Sequence, residues 1–231
     1  MYQRYFKRII DLTFSLLILI LISPILLILI ITLSLKDEGE VFYMQERVGT
    51  SGNTFNVIKF ATMVKDSPNI GYGTITAKND PRITKTGRFM RKTKLNEVPQ
   101  LFNIVLGEMS LIGPRPMIKS TYMRYSDEYK KETYGLKSGL SGLGSLLYRN
   151  EEQDLQKFKN KELAENHYRT KIIPTKQKIE LYYKNNISFM TDLLIIALTL
   201  YAVVFSKRTE ATTNMLFRFH PELRKIYFNR S

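Results

Sequence analysis

The sequence of 231 residues contains no cysteine, no tryptophan and only two histidines. Without cysteine, disulfide frameworks, thiolate nucleophiles and zinc-thiolate sites are excluded, and the composition suits a reducing compartment such as the cytoplasm. His167 and His220 lie in no recognisable motif, so the sequence does not indicate a histidine metal cage or a Ser-His triad. The groups left for chemistry are carboxylates, amides and cations.

Acidic residues are also scarce relative to basic ones, with 21 Asp and Glu against 35 Lys and Arg and a formal net charge of +14. A surplus of this size predicts a polyanionic partner. Nucleic acid, an anionic membrane surface and phosphorylated small molecules are the three candidates.

A long apolar run is present near the start of the chain. From Leu12 to Leu35 it has no ionisable side chain, and it is long enough to cross a bilayer if it forms a straight helix. Ser23 and Pro24 lie near its centre, where proline predicts a kink or a break. Basic residues flank both ends, and the positive-inside rule would keep both ends in the cytoplasm. These features favour a re-entrant helix-break-helix over residues 1–35, and the alternative is a kinked helix that crosses once.

Two later segments are weaker membrane candidates. The run from Phe189 to Phe205 is interrupted by Asp192, which predicts a core or membrane-surface helix rather than a second crossing. Residues 206–231 form a basic, aromatic tail, which either rests on anionic lipid headgroups or is simply solvated.

Residues 36–205, which include the run from Phe189 to Phe205, are predicted to be one cytoplasmic domain with membrane-associated helices. Two β-like runs, Val41–Gln45 and Phe55–Phe60, flank a glycine-bearing turn and predict a hairpin. Other segments have helical patterns. The predicted fold class is therefore α+β, mainly helical with a small β-hairpin or sheet, in a monotopic membrane protein.

A dense cationic window follows Asp80. No acidic residue lies between Asp80 and Glu97, and a helix would gather several of the cations on one face. Because no nucleic-acid-binding module is recognisable, phosphorylated metabolites or lipids are the favoured anions. The alternative for each cation is a solvated surface position. The window contains Arg82, Lys85, Arg88, Arg91, Lys92 and Lys94.

The segment Leu95–Gly107 is predicted to be an amphipathic helix with Val98, Leu101, Phe102 and Val105 on one stripe. Asn96 suits the N-cap, and Gly107 suits the C-terminal end. Capping alone would explain Asn96 and Glu97. A helix N-terminus beside cations would also bind phosphate, and a carboxylate there could hold Mg²⁺ against it.

Arg115 lies between Pro114 and Pro116. The two prolines stiffen the backbone, so the guanidinium would lose little entropy on gripping a phosphate. The alternative is a structural arginine in a stiff loop.

Taken in order, these motifs resemble those of the bacterial monotopic phosphoglycosyl transferases, also called bacterial sugar transferases. The resemblance is collinear over nearly the whole chain, from about Tyr5 to Val204. It is carried by the segments FKRIIDLTFSLLILILISP, VFYMQERVG, KFATM, DPRIT, GRFMRKTKLNEVPQLFNIVLGEMSLIGPRP, LSGLGSLLYRN and NISFMTDL.

The resemblance implies an enzyme on the cytoplasmic face of the bacterial inner membrane. It would transfer a sugar phosphate from a UDP-sugar to polyprenyl phosphate, release UMP and require Mg²⁺. An Asp-Glu dyad of the family supplies the carboxylate that attacks the phosphate nearest the sugar, and the lipid phosphate then attacks the covalent intermediate. Later glycosyltransferases of the same pathway are possible partners, and nucleic acid is not an expected one.

This sequence departs from the family pattern at the dyad, which reads Asn96-Glu97. An amide is a very poor nucleophile, so activity should be lost or low. Three explanations are open: an engineered inactivating change, a natural variant without the usual chemistry, or an enzyme in which Glu97 or another group attacks. The rival hypothesis is a non-catalytic membrane scaffold of a glycan-assembly pathway.

The resemblance also assigns roles to other residues. Glu97 would be the metal ligand, and Asp192 corresponds to a family Asp that we expect to be structural. The residues expected to contact phosphate or nucleotide are Lys59, Arg88, Arg91, Arg115 and Arg149.

Overall fold

A computed structural model describes residues 2–36, 40–69, 80–158, 160–205 and 208–228. It confirms a mainly helical architecture with small sheets. The chain forms two compact units. The larger unit comprises Met1–Ile10, Arg47–Phe55 and Glu108–Ser231, and the smaller unit comprises Asp11–Glu46 and Asn56–Gly107. This structural division differs from the predicted segments 1–35, 36–205 and 206–231, whose functional boundaries stay a prediction.

Helix α1 (Lys7–Lys36) follows a π-helical turn at Tyr2–Phe6. The predicted break at Ser23 and Pro24 does not interrupt it, because the helix continues through both residues. Pro24 removes one backbone donor, and the Ser23 hydroxyl donates to the Ile20 carbonyl at 2.8 Å. By length and composition α1 could cross a membrane, and only 17% of its most apolar stretch is buried.

The core of the smaller unit forms around the C-terminal half of α1. Leu26, Leu29 and Leu33 are buried on one face of the helix and pack with Phe60 and Met90. Their spacing is the i, i+3, i+7 pattern of a buried helical stripe. This half of α1 is therefore fixed to the smaller unit by apolar packing.

The predicted hairpin is confirmed as a two-stranded sheet of β1 (Phe42–Val48) and β2 (Thr54–Phe60). The Phe42 and Phe60 rings stack with centroids 5.4 Å apart. Helix α2 (Lys85–Thr93) and helix α3 (Gln100–Leu106) complete the smaller unit, with a 3₁₀ turn at Leu95–Glu97 between them.

A parallel pair of short strands lies at the centre of the larger unit. Strand β3 (Met109–Ile112) pairs with β4 (Ser138–Ser141), with Met109 opposite Ser138. Helices α4 (Lys119–Tyr122) and α5 (Asp127–Thr133) connect them. Strand β4 packs unusually close to the backbone that follows β3, because a Cβ on Gly139 would lie 2.1 Å from the backbone nitrogen of Gly113.

The remaining helices of the larger unit follow β4. They are α6 (Leu143–Leu147), α7 (Glu151–Leu155), α8 (Lys161–His167), a π-helical turn (Tyr168–Ile172), α9 (Ile173–Asn185), α10 (Phe189–Val204), α11 (Thr209–Phe219) and α12 (Pro221–Phe228).

The second apolar run forms α10, as predicted. Ser188 caps it by accepting a hydrogen bond from the Thr191 amide at 3.1 Å. One face, which includes Asp192, Ile195 and Leu198, is buried, whereas other apolar side chains such as Met190 are exposed. The helix is thus a core helix on one side and presents apolar surface on the other.

The described residues 208–228 of the predicted tail are not simply solvated, and their contact with lipid headgroups stays a prediction. They form α11 and α12, with Leu216 and Leu223 fully buried. The apolar side chains recur every three to four residues, and this helical period was hidden in the sequence by the dense basic residues between them. The segment belongs to the larger unit's core.

Replacement of Gly139 by Ala should destabilise the larger unit by about 3 kcal/mol or more, because backbone surrounds the added methyl group and cannot move aside. Gly49→Ala is the matched control, since its Cβ would meet its nearest neighbours at an ordinary 3.5 Å. Thermal unfolding followed by circular dichroism in detergent would test this. Equal midpoints for the two variants would contradict it.

Candidate functional site

Asn96 and Glu97 lie in the 3₁₀ turn that joins α2 to α3. The corner is made by Lys94, which ends α2 in the left-handed conformation with φ of 62°. This conformation costs a residue with a side chain about 1 kcal/mol. The chain therefore reverses sharply just before the two candidate residues.

The prediction that Asn96 caps the following helix is wrong. Helix α3 begins at Gln100, and Pro99 occupies its cap position without a side-chain cap bond. A cap at Asn96 would place Pro99 at the third helical position, where it has no N–H to donate. Since α3 has only seven residues, its N-terminus is also no basis for an anion site. The capping explanation for Asn96 is thereby removed.

The side-chain oxygen of Asn96 is buried and has no hydrogen-bond partner among the described residues. Buried polar atoms in folded proteins are nearly always paired, so an unpaired one in this corner calls for a functional explanation. An oxygen held without a partner can accept a bond from a bound group or ligate a metal. The unpaired oxygen makes Asn96 a candidate site residue, and its role stays a prediction.

Gln100 is a residue that sequence reasoning missed. It is 2% exposed, and its Nε2 atom also has no partner within the described part of the chain. The predicted stripe was shifted, because α3 buries Leu101 and Ile104 while Phe102 is exposed. Gln100 lies on the buried face of α3, and a polar residue on a buried face is a signal for a functional role. The predicted apolar stripe placed the buried face elsewhere on the helix, so this signal was not visible in the sequence.

Asn103 is buried for a structural reason. Its side chain accepts from the Ile58 amide at 3.0 Å and donates to the Asn56 carbonyl at 2.7 Å. Both partners lie on β2. The two bonds fix α3 to the sheet, so the turn that carries Asn96 is held at its C-terminal side.

Glu97 forms an ion pair in the described structure. Its Oε1 lies 3.8 Å from the Nζ of Lys94, which is half exposed, so the pair contributes little to stability. No group of three or more His, Cys, Asp or Glu side chains that could hold a metal occurs among the described residues. A metal here would depend on Glu97, the Asn96 oxygen and oxygens of a substrate.

The cations on α2 divide into exposed and tethered ones. Arg88 is exposed, whereas Arg91 donates through Nε to the Thr62 hydroxyl at 2.8 Å. Gly87 permits this approach, because a Cβ there would lie 2.1 Å from the Thr62 carbonyl oxygen. Helix α2 also contacts the 3₁₀ turn. The structure thus joins the predicted cationic helix to the Asn96 corner.

Lys59 and Arg82 differ from each other in role. On β2, the Nζ of Lys59 donates to the Gln45 side chain at 3.2 Å. Arg82 is buried and paired with Asp80 at 2.7 Å, so it does not belong to the exposed cationic face predicted for it. Its hydrogen bond to Asp80 raises the pKa of the guanidinium. Burial beside a carboxylate makes Arg82 structural.

Two further predicted contacts, Arg115 and Arg149, belong to the larger unit. Arg115 is exposed between the buried residues Pro114 and Pro116, and its stiff presentation stays a prediction. The loop is fastened to β4, since the Gly139 amide donates to the Pro114 carbonyl at 2.8 Å. Arg149 follows α6 and is partly buried, and this burial lowers its pKa.

A family model described as bacterial sugar transferase matches residues 2–206. The chain belongs to this family.

The relatives that this chain resembles differ in length, from much longer than this chain to about the same length. A UDP-galactose-lipid carrier transferase of Erwinia amylovora is 40% identical over 163 residues, which is 64% of this chain and 34% of the relative. A UDP-glucose:undecaprenyl-phosphate glucose-1-phosphate transferase of Klebsiella pneumoniae is 34% identical, over 87% of this chain and 41% of the relative. An uncharacterized sugar transferase, EpsL, of Bacillus subtilis is 31% identical, over 90% and 92% of the two chains. The chain therefore spans about a third of the Erwinia relative.

Asp192 receives hydrogen bonds from three side chains of the larger unit. Lys7 donates at 2.5 Å, Tyr2 at 2.8 Å and Tyr183 at 2.7 Å. The Tyr183 hydroxyl also lies 3.2 Å from the carbonyl oxygen of Ile112, the last residue of β3. Burial and the adjacent Asp192 raise the pKa of Tyr183, so it stays a neutral donor. These contacts support the structural role expected for Asp192.

Another buried carboxyl group, that of Glu180 on α9, lies in no recognisable sequence motif. Its Oε2 atom lacks a partner in the described structure, and the amide of Gly144 donates to the carboxylate. Burial raises the pKa of Glu180 to about 7, although Lys176 opposes the shift. Burial therefore favours the protonated form of this carboxyl group.

Glu180 should make stability fall as the pH rises from about 4.5 to about 7, because the unfolded state loses its proton first and the folded state keeps it. Glu180→Gln removes this pH-dependent loss of stability, because glutamine does not ionise. The Gln variant should become more stable than the parent by up to about 3 kcal/mol above pH 7, and the two should be closest below pH 4.5.

Thermal midpoints of both proteins between pH 4.5 and 8 would measure the effect, with the exposed Glu128→Gln as the control. A parallel pH profile for the parent and Glu180→Gln would show that Glu180 is ionised in the fold throughout this window.

Proposed function

We propose that the protein transfers a sugar phosphate from a UDP-sugar to polyprenyl phosphate, with release of UMP, when an aspartate occupies position 96. The names of the Erwinia and Klebsiella relatives contain a UDP-sugar donor and a lipid carrier or undecaprenyl phosphate. The product would be a polyprenyl-diphosphate-linked sugar that initiates glycan assembly. The unpartnered, buried oxygen of Asn96 beside Glu97 is the structural observation that carries the proposal.

In the proposed first step, a carboxylate oxygen at position 96 attacks the phosphorus nearest the sugar. The new bond is oxygen to phosphorus, and the bond broken joins that phosphorus to the bridging oxygen, so UMP leaves with the electron pair. A phosphate oxygen of the lipid then attacks the same phosphorus and expels the carboxylate. The carboxylate is regenerated and all groups balance.

Asn96 cannot carry out this first step, because its neutral amide is a very poor nucleophile. Its shape is nearly that of aspartate, and no hydrogen bond of the fold depends on its oxygen among the described residues. The scaffold is therefore expected to be the same with either residue. The chain as it stands should bind substrates and turn them over slowly or not at all.

Mg²⁺ is the proposed cofactor, held by Glu97 and by the oxygen at position 96 together with substrate phosphate oxygens. One or two protein oxygens suffice for such a site, so the lack of a larger acidic cluster in the described residues is compatible with it. When bound, the ion would neutralise developing negative charge on the phosphates.

In the smaller unit, Arg88, Arg91 and Lys59 are the proposed contacts to phosphate or nucleotide. In the larger unit, Arg115 and Arg149 are proposed to make contacts of the same kind. The Arg115 loop suits bidentate phosphate binding, because its backbone is already fixed on both sides.

An apolar groove in the smaller unit supports the lipid acceptor. It has a volume of about 580 Å³ and includes Ser23 and Pro24 of α1 and Phe102 of α3. Its other lining residues are Leu19, Leu26, Leu27 and Ile30. An isoprenoid chain matches such a lining, and the exposed apolar face of α1 would be covered by lipid.

The proposed location is the cytoplasmic face of the bacterial inner membrane, with α1 dipping into the bilayer and returning at Ser23 and Pro24. A bend at Pro24 is compatible with the uninterrupted helix, because proline weakens the ladder without ending it. Basic residues on both sides of α1 support this topology.

Asn96 itself favours a second candidate, a non-catalytic scaffold that recruits later glycosyltransferases of the pathway. Such a scaffold would bind its partners equally well with Asn or Asp at position 96. A pull-down that recovers no glycan-pathway enzyme with either form would oppose it.

Asn96→Asp should raise UMP release from a UDP-sugar panel with undecaprenyl phosphate by at least about a hundredfold, because it supplies the nucleophile. Asn53→Asp, in the exposed hairpin turn, is the matched control and should change nothing. If the Asn96→Asp variant is inert on every donor, the proposed reaction is wrong. If parent and variant are equally active, the role of position 96 is wrong.

The proposed topology predicts that single cysteines at Gln3 and Asn53 behave alike, which is testable because the chain has no other cysteine. In intact spheroplasts a membrane-impermeant maleimide should label neither, and after lysis it should label both. Labelling of Gln3→Cys alone in intact spheroplasts would show that α1 crosses the bilayer once.

A further inference from the structure

The C-terminal helices α11 and α12 lie beyond residue 206, where the family match ends. They nevertheless pack against the family region of the larger unit. Helix α12 contacts α9, and α11 contacts α6 and α10. Leu216 and Leu223 are fully buried. The extension is therefore an integral part of this unit's structure.

The extension contacts both residues that flank Arg149. On one side, the Asn150 side chain donates from Nδ2 to the Thr209 hydroxyl at 3.3 Å. On the other, the Tyr148 and Tyr227 rings meet edge to face with centroids 5.7 Å apart. Such an aromatic pair contributes about 0.5–1.5 kcal/mol beyond its buried area.

A residue of α9, within the region that the family model matches, contacts the segment around Arg149 from another side. The Nζ of Lys176 lies 5.2 Å from the centre of the Tyr148 ring, and the same ammonium pairs with Glu151. Tyr148 is thus contacted by a helix of the family region and by one of the extension.

Tyr227 is in turn fixed by its neighbours. Its ring lies 5.7 Å from Phe217 of α11, and Phe217 is buried. The contact from the extension to Tyr148 is therefore made by a packed cluster that joins both added helices.

We propose that the extension is a positioning element for Arg149, with Tyr227 as the positioning residue. This rests on the proposed role of Arg149 in binding the UDP-sugar. Arg149 itself lies just after the short helix α6. Its neighbours Tyr148 and Asn150 are held by contacts with α9, α11 and α12. Holding both neighbours reduces the conformational freedom that Arg149 would lose on gripping a phosphate, which strengthens donor binding.

Tyr227→Ala in the Asn96→Asp protein is the test, with Tyr227→Phe as the matched control that keeps the ring. The Ala variant should raise KM for the UDP-sugar roughly two- to tenfold, the range that the aromatic pair allows. Its KM for undecaprenyl phosphate and its kcat should stay near the parent values. The Phe variant should resemble the parent in all three.

Hydrogen exchange of the amides of residues 147–151 gives a readout that needs no substrate. It should accelerate in Tyr227→Ala and not in Tyr227→Phe. Unchanged exchange would overturn the proposal, as would faster exchange with an unchanged donor KM, which would make the extension purely stabilising. Parallel changes in both KM values and kcat would indicate general damage to the fold and would also overturn it.

Failure of the proposed function has a different outcome. In that case the Asn96→Asp protein itself would release no UMP, whatever residue stands at position 227. The donor-positioning role would then fall with it, and the exchange result alone would decide whether the extension orders the segment around Arg149.

Discussion

The buried carboxylate of Asp192 is the constraint on which the larger unit depends. It joins Lys7, the first residue of α1, and Tyr2 of the preceding π-helical turn to α10 and to the end of α9. There Tyr183 reaches the last carbonyl of β3. Each partner satisfies part of a charge that would be costly to bury alone. The loop of Arg115 begins directly after β3, so the start of the apolar helix and the start of this loop share one polar network.

In the smaller unit, apolar packing and hydrogen bonds to backbone groups hold the helices in place. Leu26, Leu29 and Leu33 fix α1 against β2 and α2, and Asn103 fixes α3 to β2. Between these fixed elements, the corner at Lys94 presents Asn96 and Glu97. In the proposed reaction, a rigid scaffold of this kind places the attacking group and the cations before substrate arrives.

The sequence predicted the elements whose signals are local. The apolar run of α1, the hairpin around its glycine turn and the stiff Pro114-Arg115-Pro116 loop needed no tertiary information. The errors arose where one residue overrides a pattern. Pro99 removes the donor that an Asn96 cap needs, Asp80 turns Arg82 from a surface cation into a buried one, and charges hide the apolar period of α11 and α12. Gln100 and Glu180 could not be predicted, because their burial depends on neighbours remote in sequence.

The left-handed Lys94 and the cap position of Pro99 bound the corner at its two ends. An insertion or deletion between them would rotate every side chain of the turn away from its place, whereas an exchange of side chains leaves the backbone path intact. In the proposed reaction, architecture and chemistry would be separable at position 96. A single codon change there would then silence or restore the attacking group while the backbone path of the turn persists.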